Sequence, residues 1–183
     1  MKALVYNPAI VLAAILFAQT SGASTISYEL QDLGLNSYRY VYTVANDGTL
    51  PGGSAIQLFD ILFDPALYQE ASLTISSDPI LAADWTQQIF ASAPGIPAAY
   101  DVLANGSGIT LGQQLSGFAV DFIWMGAGLP GAQVYEIYDS STFDLLESGT
   151  TISSVPLPGA GLLMASALVL MTGFLSRKKI TVR

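Results

Sequence analysis

Between residues 25 and 152 the chain alternates apolar and polar positions with a period of two, the repeat that a strand with one buried face imposes. Ile26, Tyr28 and Leu30 alternate with Ser27, Glu29 and Gln31, and Tyr38, Tyr40, Tyr42 and Val44 share a face against Ser37, Arg39 and Thr43. That second run stops at Asn46-Asp47-Gly48, residue types that tolerate the positive φ of tight turns. Phe59, Ile61 and Phe63 share a face opposite Asp60 and Asp64, and Pro65, which has no amide to donate, should end the strand. Leu73 and Ile75 alternate with Thr74 and Ser76. Phe118, Val120, Phe122 and Trp124 form a further stripe opposed by Asp121, and segments 134–138 and 145–152 supply two more strands. Only 84–89 reads as a short helix, with Asp84 as its N-cap. Seven or eight short strands with Gly, Pro and Asn punctuation predict an all-β domain, a single antiparallel β-sandwich of jelly-roll or immunoglobulin-like type. Gly and Pro in 93–108 and 126–131 mark long loops at the sandwich ends, where binding residues are most readily placed.

The alternation breaks down at both ends of the chain. Lys2 precedes an apolar run from Ala9 to Ala18, and Ser21-Gly22-Ala23 puts small residues at −3 and −1 of a cleavage site after Ala23. This order predicts a secretory signal peptide over 1–23, removed by signal peptidase. An uncleaved membrane anchor is the competing reading, but about ten apolar residues are short for a span.

Residues 159–176 contain no charge. As a helix they would extend roughly 27 Å, close to the ~30 Å of a bilayer's hydrocarbon core. Arg177, Lys178 and Lys179 follow at once. The positive-inside tendency keeps such a cluster cytoplasmic, which leaves residues 24–154 outside. Pro156 and Pro158 stand just before the span, where first-turn amides need no intrahelical acceptor. A buried core helix would leave the three adjacent cations unexplained.

Val155-Pro156-Leu157-Pro158-Gly159, the apolar segment and the basic cluster over 177–183 together resemble the PEP-CTERM sorting signal, with Pro-Leu-Pro standing where that family has Pro-Glu-Pro. The resemblance implies recognition by an exosortase, a membrane-embedded cysteine transpeptidase that processes the tail and releases or attaches the ectodomain. It also implies a Gram-negative host that makes exopolysaccharide, floc or biofilm. The body is similar to the small domains that often carry this tail, notably at Phe63-Asp64-Pro65-Ala66-Leu67-Tyr68 and Gly126-Ala127-Gly128-Leu129-Pro130-Gly131. Three segments result: a signal peptide at 1–23, a β-sandwich ectodomain at 24–154 and a sorting tail at 155–183.

Charge narrows the partners. Residues 24–154 hold one cation, Arg39, against all 14 carboxylates, a net charge of −13. Such a body is repelled by phosphate backbones and anionic headgroups, so nucleic acid is not expected as a partner. The chain has no histidine and no cysteine, which excludes a Ser-His-Asp triad, histidine metal ligation, thiolate chemistry and disulfides. Residues 24–154 also lack lysine, which excludes a Ser-Lys dyad.

Carboxylate pairs are the remaining catalytic option. Asp60 with Asp64, or Asp139 with Asp144, could serve glycoside hydrolysis, although solubility is the ordinary use of acids in an acidic protein. No catalytic residue and no cofactor is therefore assigned. Loop carboxylates could hold a structural calcium ion, yet no Asp-x-Asp-x-Asp-Gly run is present. Asn105-Gly106-Ser107 fits the glycosylation acceptor pattern. The aromatic stripes read as core, and the opposing reading places Tyr38, Tyr40, Tyr42 or Trp124 on an exposed sugar-stacking platform. The function expected is a non-enzymatic protein of the cell surface or extracellular matrix, in contact with polysaccharide. The rivals are a secreted carbohydrate-active enzyme and a permanent single-pass membrane protein.

Overall fold

Strands form where the alternation runs, and a computed structural model arranges them in two sheets. It describes residues 24–154. The expected signal peptide with its cleavage after Ala23, the sorting residues Val155 to Gly159, the apolar segment 159–176 and the cluster Arg177, Lys178 and Lys179 lie outside the described residues. Among the described residues no helix is long and apolar enough to cross a membrane.

Strands β1 (Thr25–Gly34), β2 (Ser37–Ala45), β3 (Leu58–Phe63), β4 (Thr74–Ile75), β5 (Trp85–Phe90), β6 (Ala98–Ala104), β7 (Gln114–Ile123), β8 (Val134–Tyr138), β9 (Leu145–Thr150) and β10 (Ile152–Ser153) make an all-β sandwich. One sheet runs β10-β1-β2-β7-β4 and the other β5-β6-β3-β8-β9. All pairings are antiparallel except β1 with β10.

The stripes face inward as their spacing demands. Ile26, Tyr40, Tyr42, Val44, Phe59, Ile61, Phe63, Phe118, Val120 and Phe122 are buried between the sheets. Tyr40 stacks on Phe122 with centroids 4.7 Å apart, and Phe59 meets Phe118 edge-on at 5.2 Å. These are the geometries that aromatic quadrupoles favour. The stripe on β7 stays in phase with β2 only through a bulge. Tyr42 faces Phe118 but Thr43 faces Ser116, and the skipped residue is Gly117 at φ +104.

Three expectations are corrected. Segment 84–89 is not a helix. Asp84 ends a short 3-10 turn (Pro79–Ala83), whose N-cap is Asp78, and Trp85 then opens β5. The reason is tertiary: pairing of the whole of β5 with β6 leaves Trp85 buried against Phe118, which helical spacing would not achieve. The loop read over 93–108 contains β6, which lies between β5 and β3. Ten strands therefore replace seven or eight. Finally, 145–152 is not one strand. The chain changes sheet at Thr151, which is buried and whose amide donates to the Gln133 carbonyl at 2.8 Å.

Candidate functional site: an apolar cleft at one end of the sandwich

At the end of the sandwich where β3 and β7 finish and β6 and β8 begin, three loops enclose a cleft of about 680 Å3. Pro65 stops β3, and the chain then turns on Asp64. The Asp64 carbonyl accepts the Leu67 and Tyr68 amides, both at 2.9 Å, and Asp64 Oδ1 accepts the Ala66 amide at 2.9 Å. This turn is laced to the end of β7 by Gln69 N to Ile123 O at 3.0 Å and Met125 N to Leu67 O at 2.8 Å. Tyr68 and Trp124 are thereby brought together edge-on, with centroids 5.0 Å apart. The Trp124 indole N–H donates to the Gly128 carbonyl at 3.0 Å, which fixes the ring's orientation. Leu129 and Ile96, 72% and 63% exposed, line the same cleft from the other two loops.

The floor is polar and buried. Gln133 is 3% exposed, and its Oε1 accepts from Tyr42 Oη and Thr151 Oγ1, both at 3.3 Å. Its Nε2 donates to Tyr68 Oη at 3.3 Å and to the Gly131 carbonyl, which also accepts from Tyr40 Oη at 2.7 Å. Burial pushes the Tyr40, Tyr42 and Tyr68 hydroxyls up, so they stay neutral and available as donors. A satisfied buried network of this kind holds its members in one arrangement. Chemically, the cleft offers an aromatic and aliphatic wall, a carboxylate at Asp64 and a rigid polar base.

The residues of the opposing, platform reading separate. Tyr38, Tyr40 and Tyr42 are core, whereas Trp124 lines the cleft. Loops 93–97 and 129–134 line the cleft, as do the segments around 63–68 and 126–131.

The carboxylates of the two catalytic options lie in different settings. Asp64 lies at the cleft, while Asp60 sits mid-strand between Asp101 of β6 and Glu136 of β8, its Cα partners on either side. Burial, then the charge of Asp101 and a shared hydrogen bond with it, then Glu136, push the Asp60 carboxyl up to about 7. Asp60 Oδ1 is buried without a hydrogen-bond partner. A shallow groove of about 430 Å3 beside this pair is walled by Leu58, Leu103, Phe90 and Phe143. Asp139 instead caps the β8–β9 turn, its Oδ1 accepting from the Ser141 and Thr142 amides, and its carbonyl accepts from Phe143. Its own amide donates to the Asp144 carbonyl, so these two acids build a hairpin.

Among the described residues no group of three or more acidic side chains converges closely enough to hold a metal ion, so the calcium expectation finds no ligand set there. Asn105 is exposed between β6 and β7, and its Oδ1 accepts from Thr86 Oγ1 at 2.8 Å. Gln133 and Asp101 were not legible as site residues. Gln133 is a single amide in a loop, and Asp101 matters only once β6 is known to lie beside β3.

No protein-family model matches the chain, and no curated protein matches it. Among solved structures it is similar to an uncharacterized protein from Nocardia farcinica with an immunoglobulin-like fold, at 14% identity and a TM-score of 0.44 over 69% of this chain and 82% of that one. It is also similar to a chain of a type I cohesin–dockerin complex from Clostridium thermocellum, at 8% identity and a TM-score of 0.33 over 70% of this chain and 99% of that one.

Proposed function

We propose that this chain is an exported bacterial protein, cut after Ala23 by signal peptidase and sorted by an exosortase through its tail. Val155, Pro156, Leu157, Pro158 and Gly159 would form the sorting motif, 159–176 the transmembrane helix, and Arg177, Lys178 and Lys179 the cytoplasmic stop. Residues 24–154 then stand outside the inner membrane, first tethered and afterwards at the cell surface or in the matrix. The observation that carries this reading is the charge asymmetry: every carboxylate lies in the alternating body, and five of six cations lie in the terminal segments.

The ectodomain acts by contact with extracellular polysaccharide, and the cleft is the contact site. Trp124, backed by the buried Tyr68 ring, supplies the aromatic wall on which a sugar ring packs, and Asp64 is placed to accept its hydroxyls. Affinity electrophoresis of the exported protein through gels containing host exopolysaccharide tests this. Retardation that is lost in Trp124→Ala supports the reading, and unchanged mobility of the parent protein refutes it. Deleting Pro156 to Pro158 should trap full-length protein in the inner membrane. If location is unchanged, the chain is a permanent single-pass protein instead.

A second reading has one observation in its favour. The raised Asp60 carboxyl has the character of a general acid, and Asp101 beside it is a second carboxyl group, the two residue types that glycosidases use. Turnover of host glycans that disappears in both Asp60→Asn and Asp101→Asn would select this enzyme reading over simple contact.

A further inference from the structure

Ser24 opens the domain in an unusual setting. It is 1% exposed, and its Oγ is buried without a hydrogen-bond partner. Its backbone is tied on both sides to one carboxylate of β9. The Ser24 amide donates to Thr49 Oγ1 at 2.9 Å, and Thr49 Oγ1 donates to Glu147 Oε2 at 3.1 Å. Tyr135 Oη lies 2.6 Å from the Ser24 carbonyl oxygen and 3.3 Å from Glu147 Oε1. An amide nitrogen has one hydrogen, and Thr49 already accepts it. A carboxylate one hydroxyl away, next to an orphaned buried hydroxyl, exceeds what an uncharged amide can use.

We infer that this corner is a binding site for the mature protein's own α-ammonium group, formed when the Ala23–Ser24 bond is cut and held by Thr49 and Glu147. The inference rests on the export reading. In that hydrolysis, water gives its hydroxyl to the Ala23 carbonyl carbon and a hydrogen to the Ser24 nitrogen, which takes up one more proton at neutral pH. The resulting cation has three hydrogens where the amide had one. One retains Thr49 Oγ1, and the others are available to the carboxylate behind it.

Charge around the site agrees. The titratable groups facing it are Glu147 from β9, Tyr135 from β8, and Asp47 in the loop after β2, whose Oδ2 accepts from Thr25 Oγ1 at 3.2 Å. The one cation of residues 24–154, Arg39, is held by Asp121 on β7. A new ammonium would therefore meet carboxylates and no competing cation. Cleavage during export precedes folding, so the freed terminus can be built into β1's start as the sandwich closes.

The test compares two exported proteins, each with its N-terminus read by mass spectrometry. One is the parent chain, and the other carries a Gly-Ser insertion between Ala23 and Ser24 that leaves two extra residues after processing. Glu147→Gln should lower the Tm of the protein beginning at Ser24 by roughly 4 °C at pH 6.5, and of the insertion protein by less than half as much. The α-amino group has an unfolded pKa of about 8, and its partner raises it in the fold. The extra stability is thus full below pH 8 and gone once the folded group deprotonates, so the difference should vanish near pH 10. Thr49→Val reads the same coupling should Glu147→Gln fail to fold. Equal losses in both proteins, or a difference that persists at pH 10, would overturn the inference while leaving export intact. A mature terminus other than Ser24 would overturn both this inference and the cleavage site of the export reading.

Discussion

Gly126 lies so close to the indole of Trp124 that a Cβ placed on it would stand 2.5 Å from Cζ2 and 2.8 Å from Cε2. The ring also meets Tyr68 in an edge-to-face contact and is held at its nitrogen by the Gly128 carbonyl. It cannot retreat without giving up one of these. Gly126→Ala should therefore reorient Trp124 and open the cleft wall, at about 1–3 kcal/mol of stability. Glycan retardation should be lost to the same degree as in Trp124→Ala. Unaltered indole fluorescence in the variant, measured against Trp124→Phe, would show that the ring had not moved.

The floor beneath that wall makes a different prediction. Tyr40→Phe removes one donor from the Gly131 carbonyl and one partner from the Tyr68 hydroxyl, both of which keep the Gln133 amide, so the cost should be about 1 kcal/mol. Gln133→Leu strips an acceptor from Tyr42 and Thr151 and a donor from Tyr68 together. Leaving several buried groups unpaired should cost about 3 kcal/mol. Urea midpoints of the two variants check the ranking, and a Gln133→Leu as mild as Tyr40→Phe would contradict it.

Two of the three corrected segments, β5 and β6, are strands because of tertiary pairing, as the floor residues form a site only through tertiary contacts. Tyr100, Val102 and Ala104 alternate with Asp101 and Leu103, so β6 did carry the period of two. Small Ala98 and Ala99, next to Pro97 and Gly95, gave it the composition of a loop. It is a central strand because neighbours on both sides cover it, and that is a property of topology, not of the segment itself. β5 failed in the opposite way. Its Gln87 and Gln88 suit a helix, and only pairing to β6 with burial of Trp85 decides for a strand. By contrast, the stripes on β2, β3 and β7 were legible because both of their neighbours need one large apolar face. The cleft's aromatic member was visible as Trp124, while its polar floor depends on contacts between residues as distant as Tyr42 and Gln133.

On the outer face of the first sheet, Arg39 and Asp121 are Cα partners joined by two hydrogen bonds, Nε to Oδ1 at 2.6 Å and Nη2 to Oδ2 at 2.9 Å. The pair is 34% and 28% exposed, so water screens it, and Arg39→Ala should cost about 0.5–1 kcal/mol at pH 7. Arg39 first, aided by the Ser76 hydroxyl, holds the Asp121 carboxyl below the usual range. A lowered folded pKa means stability that is full above about pH 4 and lost as pH falls through the folded value. The gap between parent and Arg39→Ala in urea melts should be constant from pH 5 to 8 and close below pH 3. A gap that survives at pH 2 would assign the loss to packing of the arginine stem.

Asp60 has the opposite sign, and its window does not overlap that of Asp121. Its folded carboxyl is pushed up to about 7, against roughly 3.9 unfolded, so between these values the folded chain binds the proton more tightly. Stability should be highest near pH 4, fall as pH rises to about 7, and level off above that, once Asp60 is ionised beside Asp101 and Glu136. The group is partly exposed and shares its shift with two neighbours, so the fall should be about 2 kcal/mol and not the full value of the shift. Asp60→Asn keeps the side chain's shape, removes the titrating proton and gives Asp101 a permanent donor. Its urea midpoint should match the parent near pH 4 and exceed it above pH 7, with the slope between them gone. Because the Arg39–Asp121 pair is constant over that range, any residual slope in Asp60→Asn must come from another group. A variant less stable than the parent at pH 8 would contradict the raised Asp60 carboxyl.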